Sequence, residues 1–275
     1  MVAHGLISDT QSEHLDSDYG VAYRLSGVTA TPMSELHIHF CVQGGYVWRS
    51  SFDIGLGMMS RAEADLDKVR EQIHHFRDEF GWKILENQQE DIGQIPVRYP
   101  LLNMVSDGFA VIGDASFMVN SVRGGGISAG LKGACILADI AHHALLAEDL
   151  RAEQLWTYNE EYQRKIGAQL AYQDVMRQAL MNESSENMEF AFEKDVVTAD
   201  DIRSALSGRV LNISTMQKVQ KGLRGASNAG LLLRLNHKLD WGKHLYTHFQ
   251  KYPSAPGYFS VWREELMRIL DKVKA

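Results

Sequence analysis

A glycine-aspartate pair, Gly113-Asp114, closes a short apolar run at Gly108–Ile112. Three consecutive glycines, Gly124, Gly125 and Gly126, follow ten residues later and open a long apolar segment that begins at Ile127. These residue types at this spacing suit ligand binding. Gly113 lets the chain turn sharply, and Asp114 can accept hydrogen bonds from the hydroxyls of a sugar or ribityl chain. The glycine run permits close backbone approach and leaves the amides of a following helix bare. Bare amides favour an anion, or a ring that gathers negative charge. A plain strand-to-helix crossover accounts for the same spacing about equally well, because a lone glycine-rich turn is a weak signal. No Gly-Lys-Ser/Thr follows the turn, and G-x-G-x-x-G occurs nowhere in the chain.

The elements that must hold this turn change character along the chain. Tyr19–Leu25, Leu36–Val42, Tyr46–Phe52 and Ile54–Met59 read as strands. Leu36, Ile38, Phe40 and Val42 alternate with His37, His39 and Cys41, the period of a strand with unlike faces. Gln43-Gly44-Gly45 marks a turn, so an antiparallel hairpin is expected. Arg61–Trp82 reads as an amphipathic helix with Ser60 and Glu63 as a capping-box pair. An extended stretch follows at Ile84–Val97. Gly108–Ile112 reads as a strand and Ile127–Ala147 as an apolar helix. Arg151–Leu180 reads as a long helix, Ala199–Leu206 as a helix capped by Thr198, and Tyr258–Val273 as a closing amphipathic helix.

Composition narrows the function classes. With 45% apolar and 23% charged residues in 275 positions, the chain has globular composition and length enough for a substantial core. A formal charge of −7 argues against nucleic acid as a partner, since phosphate binding needs clustered Lys and Arg. Cys41 and Cys135 cannot make a disulfide framework and read as small buried hydrophobes in a reducing, cytoplasmic setting. Adjacent helical histidines such as His74-His75 and His142-His143 point about 100° apart, so no metal site is expected. The start of the chain lacks signal-peptide character, and the Ala134–Ala147 run is too short and too polar to cross a bilayer.

The segment from Gly93 to Ala141, which contains GDASFMVNSVRGGGI, resembles the second flavin-contacting segment of the geranylgeranyl reductase family, flavoproteins of the para-hydroxybenzoate hydroxylase type. GGYVW at Gly44–Trp48 resembles the family's Tyr-x-Trp-x-Phe-Pro substrate-cavity motif, and HFQKYPSAPGYFSVW at His248–Trp262 its C-terminal helical tail. VAHGLIS at Val2–Ser8 resembles a later motif of the FAD domain, with His4 in the place of Asp. The chain also departs from the pattern. The Phe-Pro of the cavity motif is replaced, Ser121 stands where proline is usual, and the chain reads as starting inside the family's fold, without its G-x-G-x-x-G unit.

The resemblance implies an α+β fold: an antiparallel substrate-domain sheet plus the C-terminal part of an FAD-binding domain, followed by a helical tail. It divides the chain into a remnant of the FAD-binding domain (1–18), a β-rich substrate domain with one helix (19–106), the flavin-contacting strand-turn-helix (107–148) and a helical region (149–275). It implies FAD, held by Gly113, Asp114, Gly124, Gly125, Gly126 and Ile127, and an isoprenoid lipid at Tyr46 and Trp48. The implied activity is saturation of C=C bonds by hydride from reduced flavin. Phe52, Phe109 and Met118 are further candidate cavity groups, although plain core packing explains such side chains better from periodicity alone. Tyr46, His37 and His39 lie in the strand region expected to face the cavity, but catalytic residues and the electron donor stay unassigned. The alternative is an impaired, non-catalytic remnant that binds FAD weakly or not at all and holds a lipid or a partner chain. A lipid substrate would favour peripheral membrane contact of the C-terminal amphipathic helices, although packing into a helical bundle explains them better. Without the G-x-G-x-x-G unit the Gly108–Ile112 strand has an open edge, so oligomers, or partial disorder near 1–18 and 109–123, are expected.

Overall fold

The apolar-polar alternation of the first hundred residues folds into antiparallel strands, and the 3.6-residue periods beyond it into helices. The computed structural model of the protein describes residues 19–29, 34–42, 44–58, 66–211 and 214–274. Ser60, Glu63 and the Val2–Ser8 motif lie outside these residues. The chain forms two compact units. One comprises 19–97 with Leu180–Phe190, the other Arg98–Ala179 with 191–274. No helix among the described residues is long and apolar enough to cross a membrane.

The first unit is a five-stranded sheet backed by one helix. Its strands β1 (Tyr19–Thr29), β2 (His37–Val42), β3 (Gly45–Arg49), β4 (Asp53–Met58) and β5 (Ile84–Pro96) lie in the order β2-β3-β4-β1-β5, every pair antiparallel. Gly44, at φ 72°, makes the turn between β2 and β3. Helix α1 (Leu66–Glu79) stops short of the expected Trp82 because Gly81, at φ 60°, ends it. The Trp82 amide bonds back to the Arg77 carbonyl in a glycine-dependent cap. Side chains alternate across the sheet. Tyr23, Leu25, Val47, Ile54 and Leu56 pack on Val69 and Ile73 of α1. On the opposite face Tyr46, Val97 and Met181 form a second cluster with Ile38, Trp48 and Ile95.

The second unit is mostly helical. The run expected as a single strand at Gly108–Ile112 is instead half of a small hairpin, with β6 (Val105–Ser106) paired to β7 (Phe109–Ala110) around Gly108. A 3-10 turn (Gly113–Ser116) leads through a loop into α2 (Ile127–Leu146). Residues 109–123 are packed rather than disordered, with Phe117, Met118, Val119, Ser121 and Val122 buried. The long helix expected to Leu180 is α3 (Ala152–Tyr162) and α4 (Ala168–Met181) joined by a π-turn at Gln163–Gly167. The Gln163 carboxamide folds back to donate to the Leu101 carbonyl at 2.6 Å and occupies the space a Cβ on residue 167 would take, which glycine leaves open. Then come α5 (Ser185–Glu193), α6 (Ala199–Leu206) and α7 (Thr215–Arg224), followed by α8 (Ala229–Phe249) and α9 (Phe259–Lys274). Thr198 caps α6 as expected, and Asp201 completes the box.

The tail is tied down by aromatic packing. Trp156 stacks on Tyr252, and Trp262 stacks on His248 with ring centroids 4.7 Å apart. The His248 Nε2–H donates to the Trp262 carbonyl at 2.9 Å, and the Trp262 indole N–H donates to the His248 carbonyl at 3.1 Å. Burial holds the His248 pKa below the ordinary imidazole value, so the folded ring stays neutral. The unfolded chain therefore takes up this proton first as the pH falls below about 6.5, and stability is full above that value and lost as the pH falls through the lower folded pKa. We expect the urea midpoint to drop between about pH 7.5 and 5.5, and the drop to shrink in His248→Gln. A residual slope of the same sign comes from His39, which burial also holds low.

Candidate functional site

The short loop between the 3-10 turn and α2 brings the glycine-aspartate pair onto the glycine run. A Cβ built on Gly126 would sit 3.0 Å from the Asp114 Oδ1 and 3.1 Å from the Met118 carbonyl. One on Gly130 would sit 3.5 Å from the Gly113 Cα. Gly113 and Gly124, at φ 71° and 69°, take conformations that favour glycine. No side chain caps α2, so the amides of its first turn, beginning at Ile127, are free of a side-chain acceptor. Asp114 is exposed, and its carboxylate has no hydrogen-bond partner among the described residues. The six residues Gly113, Asp114, Gly124, Gly125, Gly126 and Ile127 thus share one end of α2. Arg123 was missed in the sequence. Its Nε lies 3.0 Å from where a Cβ of Gly125 would be, which puts a cation on the turn, and its place directly before the glycine run was the available signal.

Beneath the turn the packing is tight. The Met118 sulfur accepts from the Gly113 amide at 3.3 Å, and the same thioether lies under Gly133 of α2. Phe117 is held at φ 59°, a left-handed conformation rarely taken by a large residue, with its ring buried and the Arg98 guanidinium 4.6 Å from the ring centre. Such a residue persists only where its surroundings over-determine it. The Met118 expected in a substrate cavity is therefore core, the seat of the turn itself. Cys135, expected to be buried, is exposed on α2.

In the sheet unit, Tyr46 and Trp48 share the face opposite α1, their ring centres 5.9 Å apart. Phe52 is exposed at the β3–β4 turn, and Phe109 belongs to the other unit's hairpin. His37 and His39 do not join Tyr46. His39 pairs with Val47 on the α1 side and stacks on Phe80 at 4.4 Å, while Ile38 pairs with Trp48. The period-two rule separates them: neighbours of Ile38 in the strand must point to the other face. Neither histidine is placed to serve the Tyr46–Trp48 face.

What the Gly113–Ile127 constellation can do is present polar atoms and bare amides to a hydroxylated, partly anionic ligand without crowding it. What the Tyr46–Trp48 face can do is bury an apolar one.

No family model matches the chain. In fold it resembles a geranylgeranyl bacteriochlorophyll reductase-like protein from Thermoplasma acidophilum, with a TM-score of 0.60 at 13% identity over 82% of this chain and 56% of that one. The α+β class expected from the sequence is thus that of a reductase-like fold. The sequence is more specific. It is 27% identical over 271 residues, 94% of the chain, to a digeranylgeranylglycerophospholipid reductase from Sulfolobus acidocaldarius, and 30% identical over 135 residues to one from Methanoculleus marisnigri. The chain is thus similar over nearly its whole length to a geranylgeranyl-type reductase. It spans about three-fifths of the Sulfolobus protein (59%) and a third (33%) of the other.

Proposed function

We propose that the chain is the substrate-binding and second flavin-contacting portion of an FAD-dependent oxidoreductase that saturates C=C bonds of isoprenoid lipids. The observation that carries this reading is the convergence of Asp114 and Gly113 with Gly126 and Gly130 at the uncapped start of α2. A flavin fits there, because the glycines leave room a Cβ would fill and the exposed carboxylate and free amides are partners for hydroxyl and carbonyl groups. Asp114 would hold the ribityl hydroxyls, and the Gly124–Gly126 run with Ile127 the pyrimidine edge of the ring. When bound, reduced FAD supplies hydride to one carbon of the double bond. Tyr46 and Trp48 would hold the isoprenoid chain and keep water from it. The relatives named for digeranylgeranylglycerophospholipid support that choice of substrate.

A second reading, a lipid- or partner-binding chain without catalysis, has its own support. Helix α2 exposes an apolar stripe, with Ile127 83%, Leu131 64% and Leu145 62% accessible, a surface of the kind that marks association. Titration of FAD into the 275-residue polypeptide separates the two. Saturable quenching of flavin fluorescence, weaker than in flavoproteins with a dinucleotide-binding loop, supports the first. No saturable binding supports the second.

A further inference from the structure

We infer that the α7–α8 hairpin is a docking surface for an anionic phospholipid bilayer, with Val219, Leu223 and Leu233 entering the headgroup layer and the neighbouring cations meeting phosphate. Helix α7 is built inside out. Ser214 and Gln217 cap its start reciprocally, and Gly225 follows its last residue. Val219 and Leu223, one turn apart on one side, are 55% and 74% exposed, whereas Lys221 points inward. The Lys221 ammonium donates to the Val196 carbonyl at 2.8 Å and to the Asp201 carboxylate, which ties the polar side of α7 to its own unit. An amphipathic helix on a water-facing surface has the reverse arrangement. Helix α8 adds to the same surface. Its Asp240 meets Lys218 of α7 at 3.1 Å, and Leu233, two turns before Asp240 on that face, is 72% exposed.

Charge indicates what covers these side chains. From Ile202 to Leu239 the sequence carries seven Lys and Arg and no Asp or Glu, although the chain as a whole has a net charge of −7. Lys221 and Lys238 are used inside the fold, the second on the Val273 carbonyl. Lys218, Arg224 and Arg234 are exposed, and each is next in sequence to one of the three apolar residues. Two carboxylates reach this surface, Asp240 on Lys218 at 3.1 Å and Asp195 on Arg224 at 3.4 Å. Both ion pairs are open to water and therefore weak, so a phosphate can replace either acid. Apolar side chains flanked by cations are the composition of an interfacial helix. A second copy of the chain fits less well. A two-fold contact would set the patch against itself, cation facing cation, and three side chains supply only part of the roughly 800 Å² a side that a stable dimer buries.

The test is flotation of the 275-residue protein with vesicles of phosphatidylcholine, alone or mixed equally with phosphatidylglycerol. The parent is expected to bind the mixed vesicles, and at least tenfold more weakly the uncharged ones. Leu223→Gln with Leu233→Gln is expected to weaken binding at least tenfold without moving the urea midpoint, because both side chains are exposed. Arg224→Gln and Arg234→Gln are each expected to cost about fivefold on the mixed vesicles and nothing on the uncharged ones. Leu131→Gln with Leu145→Gln, on the apolar stripe of α2, is expected to bind within twofold of the parent. Loss of binding in that α2 pair, with the α7–α8 pair unaffected, would overturn the inference. So would a parent that binds neither vesicle, or one that forms a dimer in sedimentation velocity that Leu223→Gln with Leu233→Gln dissolves. Neither flavin nor isoprenoid takes part, so any of these failures leaves the proposed activity standing.

Discussion

Asp114→Ala is expected to leave stability unchanged and to weaken FAD binding roughly ten- to a hundredfold. The two halves of this expectation have separate causes. Asp114 is exposed and its carboxylate bonds to no other described residue, so the folded chain loses nothing when it goes. A substitution of that kind stays within about 0.5 kcal/mol. A hydrogen bond from a ligand hydroxyl to a carboxylate contributes about 1.5–3 kcal/mol, and about 1.4 kcal/mol is a tenfold change in affinity. Paired urea melts and flavin-fluorescence titrations measure both quantities on the same preparation. Equal titration curves for variant and parent would remove Asp114 from the flavin site. Asp114→Asn provides a control, because it keeps an acceptor oxygen while losing the charge, and an intermediate affinity is expected.

How much of this was legible in the sequence depends on how far apart the interacting residues lie. The Gly113–Asp114 and Gly124–Gly126 convergence was readable because a ten-residue loop can only return to its own helix start. The Thr198 cap was readable because its partner is three residues away. The end of α1 was misjudged by hydrophobic period alone, although Gly81 was there to be read as a stop. Faces were harder. Alternation in β2 showed that His37 and His39 share a side, but both sides of this sheet are covered by apolar clusters, and the pattern could not say which one carries Tyr46. Cys135 was misjudged because α2 is apolar over most of its surface, so composition cannot tell its buried side from its exposed one. The π-turn at Gln163–Gly167 is hidden because its cause is a hydrogen bond to Leu101, far away in sequence.

Gly133 shows how such a distant contact can govern the site. It is buried on α2, and a Cβ there would meet the Met118 sulfur at 2.9 Å, its methyl at 3.1 Å and a ring carbon of Tyr162 at 3.2 Å. Met118 and Tyr162 are both fully buried, so neither can swing into solvent to make room. Gly133→Leu is therefore expected to cost about 3 kcal/mol, the upper end of ordinary overpacking, read as a lowered urea midpoint. Because Met118 also accepts the Gly113 amide, the strain reaches the turn, and FAD affinity is expected to fall together with stability. That joint loss separates this substitution from Asp114→Ala, in which binding falls alone. Met118→Ala opens the complementary space and by itself costs about 2–5 kcal/mol as a cavity. The two changes share one volume, so combining them should cost less than their sum by at least 1 kcal/mol, the coupling expected of residues in direct contact. Additive losses would mean that α2 is seated on something other than the Met118 thioether.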